Sequence, residues 1–479
     1  MKIKYLLLSV FMLALWSCET DVLNPNETYP DPYLEIDSGN TDFSTFVSLG
    51  ASITAGTTDG SLFLAGQMNS FPNILANVMS MADGGEFTQP YVNDNVGGLT
   101  LFGNVIAGPR LYFDGAGPAT VNGTPSTEVS NIMPGPYNNL GLPGMNAIHA
   151  LAPGYGNLEG VAAGLANPYF VRMASNPGTS ILEDALTQMP TFTSVWVGNN
   201  DILGFATSGG VTPITDSSEF DFAISSIVGA LAQAGADGII GNIPDITSIA
   251  FLNTVPYNAV PLDQATADML NGAFAVYNGG LQLVQMMGMI SAQEAAARTI
   301  VFAAGQNAVT IEDSDLTNLS VLGLPNLRMA TAEDKIVLPA ASVIGTTVGG
   351  NPMQINGVSV PLADNLVLTA NEVLEAQMAI ASYNGTISAL ASQYGWAHFD
   401  ANAALNEVST TGLMMDDFTI TGDLVFGGLF GLDGVHPTAR GNAIIAKLMM
   451  AEIDATYGSN LSDAGLDIGD YPTNYPNGL

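Results

Sequence analysis

The chain has 479 residues, 47% of them hydrophobic and 8% aromatic, which supplies a large folded core and excludes global disorder. Nine basic residues stand against 44 acidic ones, a net charge of −35. Nucleic-acid binding needs clustered Lys and Arg to displace counterions, so that class of partner is excluded.

The chain starts with a positive segment, Lys2 and Lys4, followed by an apolar run over residues 5–16. That run is too short to cross a bilayer as a helix and has the length of a signal peptide. It ends in Leu15-Trp16-Ser17-Cys18, which resembles the lipobox of bacterial lipoproteins, with Trp16 bulkier than the usual residue. The resemblance implies that residues 1–17 are a signal peptide and that Cys18 carries the lipid, anchoring the protein to the outer membrane. An ordinary secretory signal is the alternative. Glu19 and Asp21 resemble the surface-export signal of some lipoproteins, and a solvated linker explains them equally. Cys18 is the only cysteine, so the rest of the chain is expected to hold no disulfide and no Cys-based metal or redox chemistry. Residues 18–41, rich in Asn, Pro, Asp and Thr, read as a flexible acidic tether.

From residue 42 onward, apolar runs alternate with helical patterns, which predicts an α/β sheet covered by helices. FVSLGAS, beginning at Phe46, is a short buried strand running into a Gly-rich turn. TFTSVWVGNND, GADGIIGNIPD and YGWAHFD supply three more strands. Ser291-Ala-Gln-Glu294 and Thr369-Ala-Asn-Glu372 fit capping boxes. After the second, Val373, Ala376, Ile380, Tyr383, Ile387 and Leu390 recur at three- and four-residue steps and form one apolar face. A last helix is predicted after Pro437, over about 439–457. Residues 84–137 and 306–366 read as insertions on the loop side of the sheet, the second of them β-rich. Met286, Met287 and Met289, beside Leu283, fit core filling, an acyl-accepting surface being the other reading. The domain is placed at 42–460, with 461–479 as a C-terminal tail. No other stretch has 18 uninterrupted apolar residues, so a soluble body is expected.

His149, His398 and His436 are the whole histidine supply. There is no His-x-His, no His-Glu-x-x-His, no EF-hand spacing and no phosphate-binding Gly-x-x-x-x-Gly-Lys loop, so neither a metal nor a nucleotide cofactor is expected. Hydroxyl chemistry remains. Ser52, in Gly50-Ala51-Ser52-Ile53-Thr54, sits at a strand-to-helix turn that can expose its hydroxyl and N–H, although most such serines merely cap. In Asp433-Gly434-Val435-His436-Pro437, an Asp three residues before a His can fold back onto Nδ1 and leave Nε2 as a base. Asn200, in Gly198-Asn199-Asn200-Asp201, ends a strand where a side-chain amide can donate to an oxyanion. Asn139-Leu-Gly-Leu-Pro-Gly144 reads as a second turn, whose Gly144 N–H can face the same place. His149 and His398 read as satisfied structural histidines.

Taken in order, these four blocks resemble the GDSL, or SGNH, esterase and lipase family over roughly residues 43–460. The resemblance implies a flavodoxin-like α/β/α fold with a five-stranded parallel sheet. It implies Ser52 as nucleophile, Asp433 and His436 as its partners, and an oxyanion hole of Ser52, Gly144 and Asn200. Ala51 departs from the family's Asp, and Gly97 and Gly98 compete with Gly144 for its role. The function so implied is a serine carboxylic-ester hydrolase, a lipolytic esterase or lipase acting on acyl or lipid esters at the cell envelope, with no cofactor and no metal. A polysaccharide O-acetylesterase on the same fold is the alternative. A non-catalytic surface lipoprotein beside an outer-membrane transporter is the reading from another class.

Overall fold

The computed structural model describes residues 35–479. The signal peptide, Cys18 and most of the tether lie outside the described residues.

Five short strands make the central sheet: β1 (Phe46–Gly50), β2 (Asn139–Gly141), β3 (Phe192–Trp196), β4 (Asp237–Gly241) and β5 (Ala397–Phe399). They lie in the order β5-β4-β3-β1-β2, and every pair is parallel. All five residues of β1 and of β3 are buried, as parallel strands covered on both faces must be. The helices of eight or more residues are α1 (Phe71–Met79), α2 (Asn200–Thr207), α3 (Ser217–Gln233), α4 (Gln264–Met286), α5 (Ala370–Tyr394), α6 (Ala401–Thr410) and α7 (Ala439–Tyr457). Alternation along the strands divides the core in two. Val47, Leu49, Val195 and Ile240 pack with α3 and α5, whereas Phe46, Phe192, Trp196 and Ile239 pack with α1 and α7. This is the flavodoxin-like three-layer fold. Its strand order reverses between β1 and β3, and the crevice at that switch point, beyond the strands' carboxyl ends, is where such sheets bind ligands.

The two longest sequence-predicted helical faces are present. Thr369 caps α5 through a complete box with Glu372, and Ala376, Ile380, Tyr383, Ile387 and Leu390 are buried. Thr438 caps α7, and Gly458 ends it in a left-handed turn at φ 73°. Ser291 caps its helix as expected, but the box is incomplete because the Glu294 carboxylate turns to Arg298 and Thr317.

Other expectations are corrected. Asn139-Leu-Gly is the edge strand β2 and not a turn. In residues 335–350 only Lys335–Ile336 is a strand; 338–342 and 348–350 are 3-10 turns, held there by Pro339 and by the left-handed Gly349 and Gly350. Met286, Met287 and Met289 do not fill the core: they are 77%, 64% and 44% exposed. The ends of the body also shift. Asn40 N–H donates to Tyr457 O at 2.8 Å, so the last tether residues already pack on the domain. Leu461, Ile468 and Tyr475 are buried, so 461–479 is part of the fold. Residues 36–479 form one unit. No described helix is long and apolar enough to cross a membrane.

Candidate active site

β1 delivers Ser52 to the crevice. Its last residue, Gly50, approaches so closely that a Cβ there would lie 1.9 Å from Thr54 Oγ1 and 2.8 Å from Trp196 O, which explains why glycine precedes the turn. A single helical turn, Ser52–Ala55, follows and is closed by Gly56 at φ 86°. Gly141 of β2 packs against this turn, where a Cβ would meet Ala55 N at 2.2 Å.

The loop before α7 brings the imidazole in. His436 Nε2 lies 2.8 Å from Ser52 Oγ, across 384 residues of sequence. His436 Nδ1 lies 2.8 Å from Asp433 Oδ2. The Asp433 carboxylate also accepts Val435 N–H at 2.8 Å and His436 N–H at 2.9 Å on Oδ1, and Gly60 N–H at 2.6 Å on Oδ2. Burial alone would push this carboxyl up, but His436 and the N–H donors outweigh it and hold its pKa below the ordinary carboxylate value. An ionised Asp433 fixes the Nδ1–H tautomer and leaves the Nε2 lone pair for the serine hydroxyl.

Asn200 opens α2 directly after β3. One of its amide N–H bonds goes to Met145 O at 3.0 Å, and the second remains for another acceptor. Asn199, Asn200, Ser52 and His436 line one cavity of about 100 Å³. Gly144 precedes the Met145 that Asn200 grips; it is exposed, left-handed at φ 78°, and has nothing within 4 Å of a built Cβ. It does not line the cavity itself. The structure therefore unites Ser52, His436, Asp433 and Asn200, and ties Gly144 to them through one peptide. Gly97 and Gly98 lie elsewhere, against Ser61 and Gly108.

Two further buried carboxyls were not found from sequence. Asp59 is 1% exposed, at φ 52°, and its carboxylate accepts Leu432 N–H at 2.8 Å. Its neighbour Gly60 supplies the N–H to Asp433. Burial pushes Asp59 up to about 6; the Leu432 N–H opposes this, the Asp433 charge adds to it, and Arg110 and His436 oppose it. The signal available was Thr57-Thr58-Asp59-Gly60, a turn sequence shortly after Ser52. Asp201, beside Asn200, is also buried and is pushed up to about 6, chiefly by burial, while accepting Ala147 N–H at 2.9 Å.

The other histidines stand apart from the cavity. His149 Nδ1 accepts Asn146 N–H at 3.1 Å and its ring stacks on Tyr155, a satisfied structural role. His398 differs from the expectation, since its buried Nε2 has no hydrogen-bond partner. Among the described residues, no group of three or more His, Cys, Asp or Glu side chains is arranged to hold a metal ion.

No family model and no curated protein matches the sequence. Among solved structures, the chain is similar to Axe2, an acetylxylan esterase from Geobacillus stearothermophilus, both in its crystal structure and in that of a catalytic mutant. Identity is 11%, the match covers 88% of this chain and 96% of that one, and the TM-score is 0.31. So distant a likeness assigns neither an activity nor a residue to this chain.

Proposed function

We propose that the protein is a serine carboxylic-ester hydrolase. What supports the reading is the unbroken relay from Ser52 Oγ through His436 to Asp433, each link 2.8 Å long, at the switch point of the sheet. In this mechanism His436 Nε2 takes the serine proton as Oγ attacks the ester carbonyl. The resulting oxyanion faces the N–H groups of Ser52 and Gly144 and the free amide N–H of Asn200. Collapse expels the alcohol, which takes its proton from His436. Water, deprotonated by the same imidazole, then cleaves the acyl-enzyme.

A fluorophosphonate probe tests the proposal: it should label the wild type at Ser52 and leave Ser52→Ala unlabelled and inactive. Asn200→Ala should lose on the order of 100- to 1000-fold in kcat. Absence of labelling, under conditions where a known serine esterase reacts, would favour the non-catalytic binding platform. The substrate has two readings. One is a lipolytic enzyme acting on acyl or lipid esters at the envelope, a setting that rests on residues 1–21. The other is removal of acetyl groups from a polysaccharide, the kind of activity named for Axe2. Hydrolysis of p-nitrophenyl esters of graded acyl length separates them.

A further inference from the structure

The cavity beside Ser52 is lined by a few polar side chains and many apolar ones. Ser52, Asn199, Asn200 and His436 are the polar group. The apolar walls come from the ends of β3 and β5 and from α6 and α7, with Trp196, Phe399, Ala404, Val408, Ile445 and Leu448 among them. A sugar ring placed inside would leave its hydroxyls without partners, a cost that excludes a carbohydrate occupant. An acetyl group offers a single methyl, whereas the cavity holds about 100 Å³. One water-sized group needs roughly 10–15 Å³ on that measure, so the space accommodates several methylenes. Protein interiors are packed as densely as organic crystals, and an apolar space of this size next to a nucleophile is a departure from that packing. The small side chains Ala401 and Ala404 of α6 keep it open; a leucine at the second position would fill much of it.

We propose that this cavity binds the acyl chain of the substrate, and that the substrates are esters of aliphatic acids several methylenes longer than acetate. The proposal rests on the serine-hydrolase reading above and adds to it the substrate class and the wall that sets chain length. Each methylene buried there raises kcat/KM about fourfold, the equivalent of roughly 0.8 kcal/mol per CH₂. The rise ends where the cavity is full.

The test compares two series on the full chain: p-nitrophenyl esters from acetate to dodecanoate, which lengthen the acyl side, and alkyl acetates, which lengthen the alcohol side. The expected result is a steep rise in kcat/KM along the first series with a maximum between butyrate and decanoate, and no such rise along the second. Ala404→Leu should lower the octanoate-to-acetate ratio at least tenfold, and Val408→Ala should move the maximum to longer chains. The second variant keeps the test open if the first fails to fold, which circular dichroism reports. A maximum at acetate, a rise that follows the alcohol, or ratios unmoved by both folded variants would overturn the acyl site while leaving the hydrolase intact. Loss of all ester hydrolysis together with absent fluorophosphonate labelling would instead overturn the hydrolase reading beneath it.

Discussion

Asp59 shows how much of a triad lies outside its three members. Its carboxylate holds the N–H of Leu432 and its neighbour's N–H holds Asp433, so one tight turn fixes the loop that aims His436. Asp59→Ala removes that acceptor and should lower kcat by about 10- to 100-fold with little change in KM, because it loosens geometry and not substrate binding. Asp59→Asn keeps an acceptor for the Leu432 N–H and should retain most activity, and a loss as large as that of Asp59→Ala would refute the hydrogen-bond role. That Ser52, Asn200, Asp433 and His436 come together was readable in sequence because the proposed chemistry needs particular residue types at short local spacings. Asp59 was not, because it acts on residues 373 positions away, and an Asp-Gly pair ordinarily signals no more than a turn.

At the scale of elements, legibility followed periodicity. α5 and α7 were legible because a 3.6-residue apolar repeat over many turns has one structural solution, with the Thr369 box marking the start of α5 and Pro437 that of α7. β2 was missed because three residues, Asn-Leu-Gly, carry no period at all; they become a strand only by pairing with Ser48, Leu49 and Gly50 of β1. Residues 335–350 misled in the opposite direction, their β-branched side chains being spent mostly on turns. The reciprocal bonds of the α5 cap, Thr369 N–H to Glu372 and Glu372 N–H to Thr369, give a direct test. Thr369→Ala should destabilise the protein by about 1 kcal/mol in urea denaturation, whereas Thr369→Ser should cost only a fraction of that. Equal losses in the two variants would show that the methyl, not the cap, carries the effect.

For the molecule as a whole, two buried carboxyls set an unusual pH response. Asp59 and Asp201 bind protons more tightly in the native state, with values near 6, than in the unfolded chain. Their stabilising contribution is therefore complete below about pH 4 and is lost as pH rises through 6, on the order of 2–3 kcal/mol for each group. Asp433 has the opposite sign, but its depressed value confines its effect to more acid solution. Asp201→Asn should flatten the fall in urea midpoint between pH 4 and 6, and an unchanged slope would contradict the assignment. The pair was invisible in sequence, where two acids among 44 carry no mark of burial.

Arg110 is entirely enclosed, and its guanidinium is satisfied by main-chain carbonyls: Asn95 and Leu111 nearby, Tyr475 and Pro476 at the far end of the polypeptide. Leu111, the next residue, donates its N–H to Asp59 O. Tyr475 and Pro476 thus help hold the Asp59 turn through Arg110 and Leu111. Removing residues 475–479 would leave the Arg110 guanidinium with only the Asn95 and Leu111 carbonyls and loosen the Asp59 turn, and kcat should fall with it.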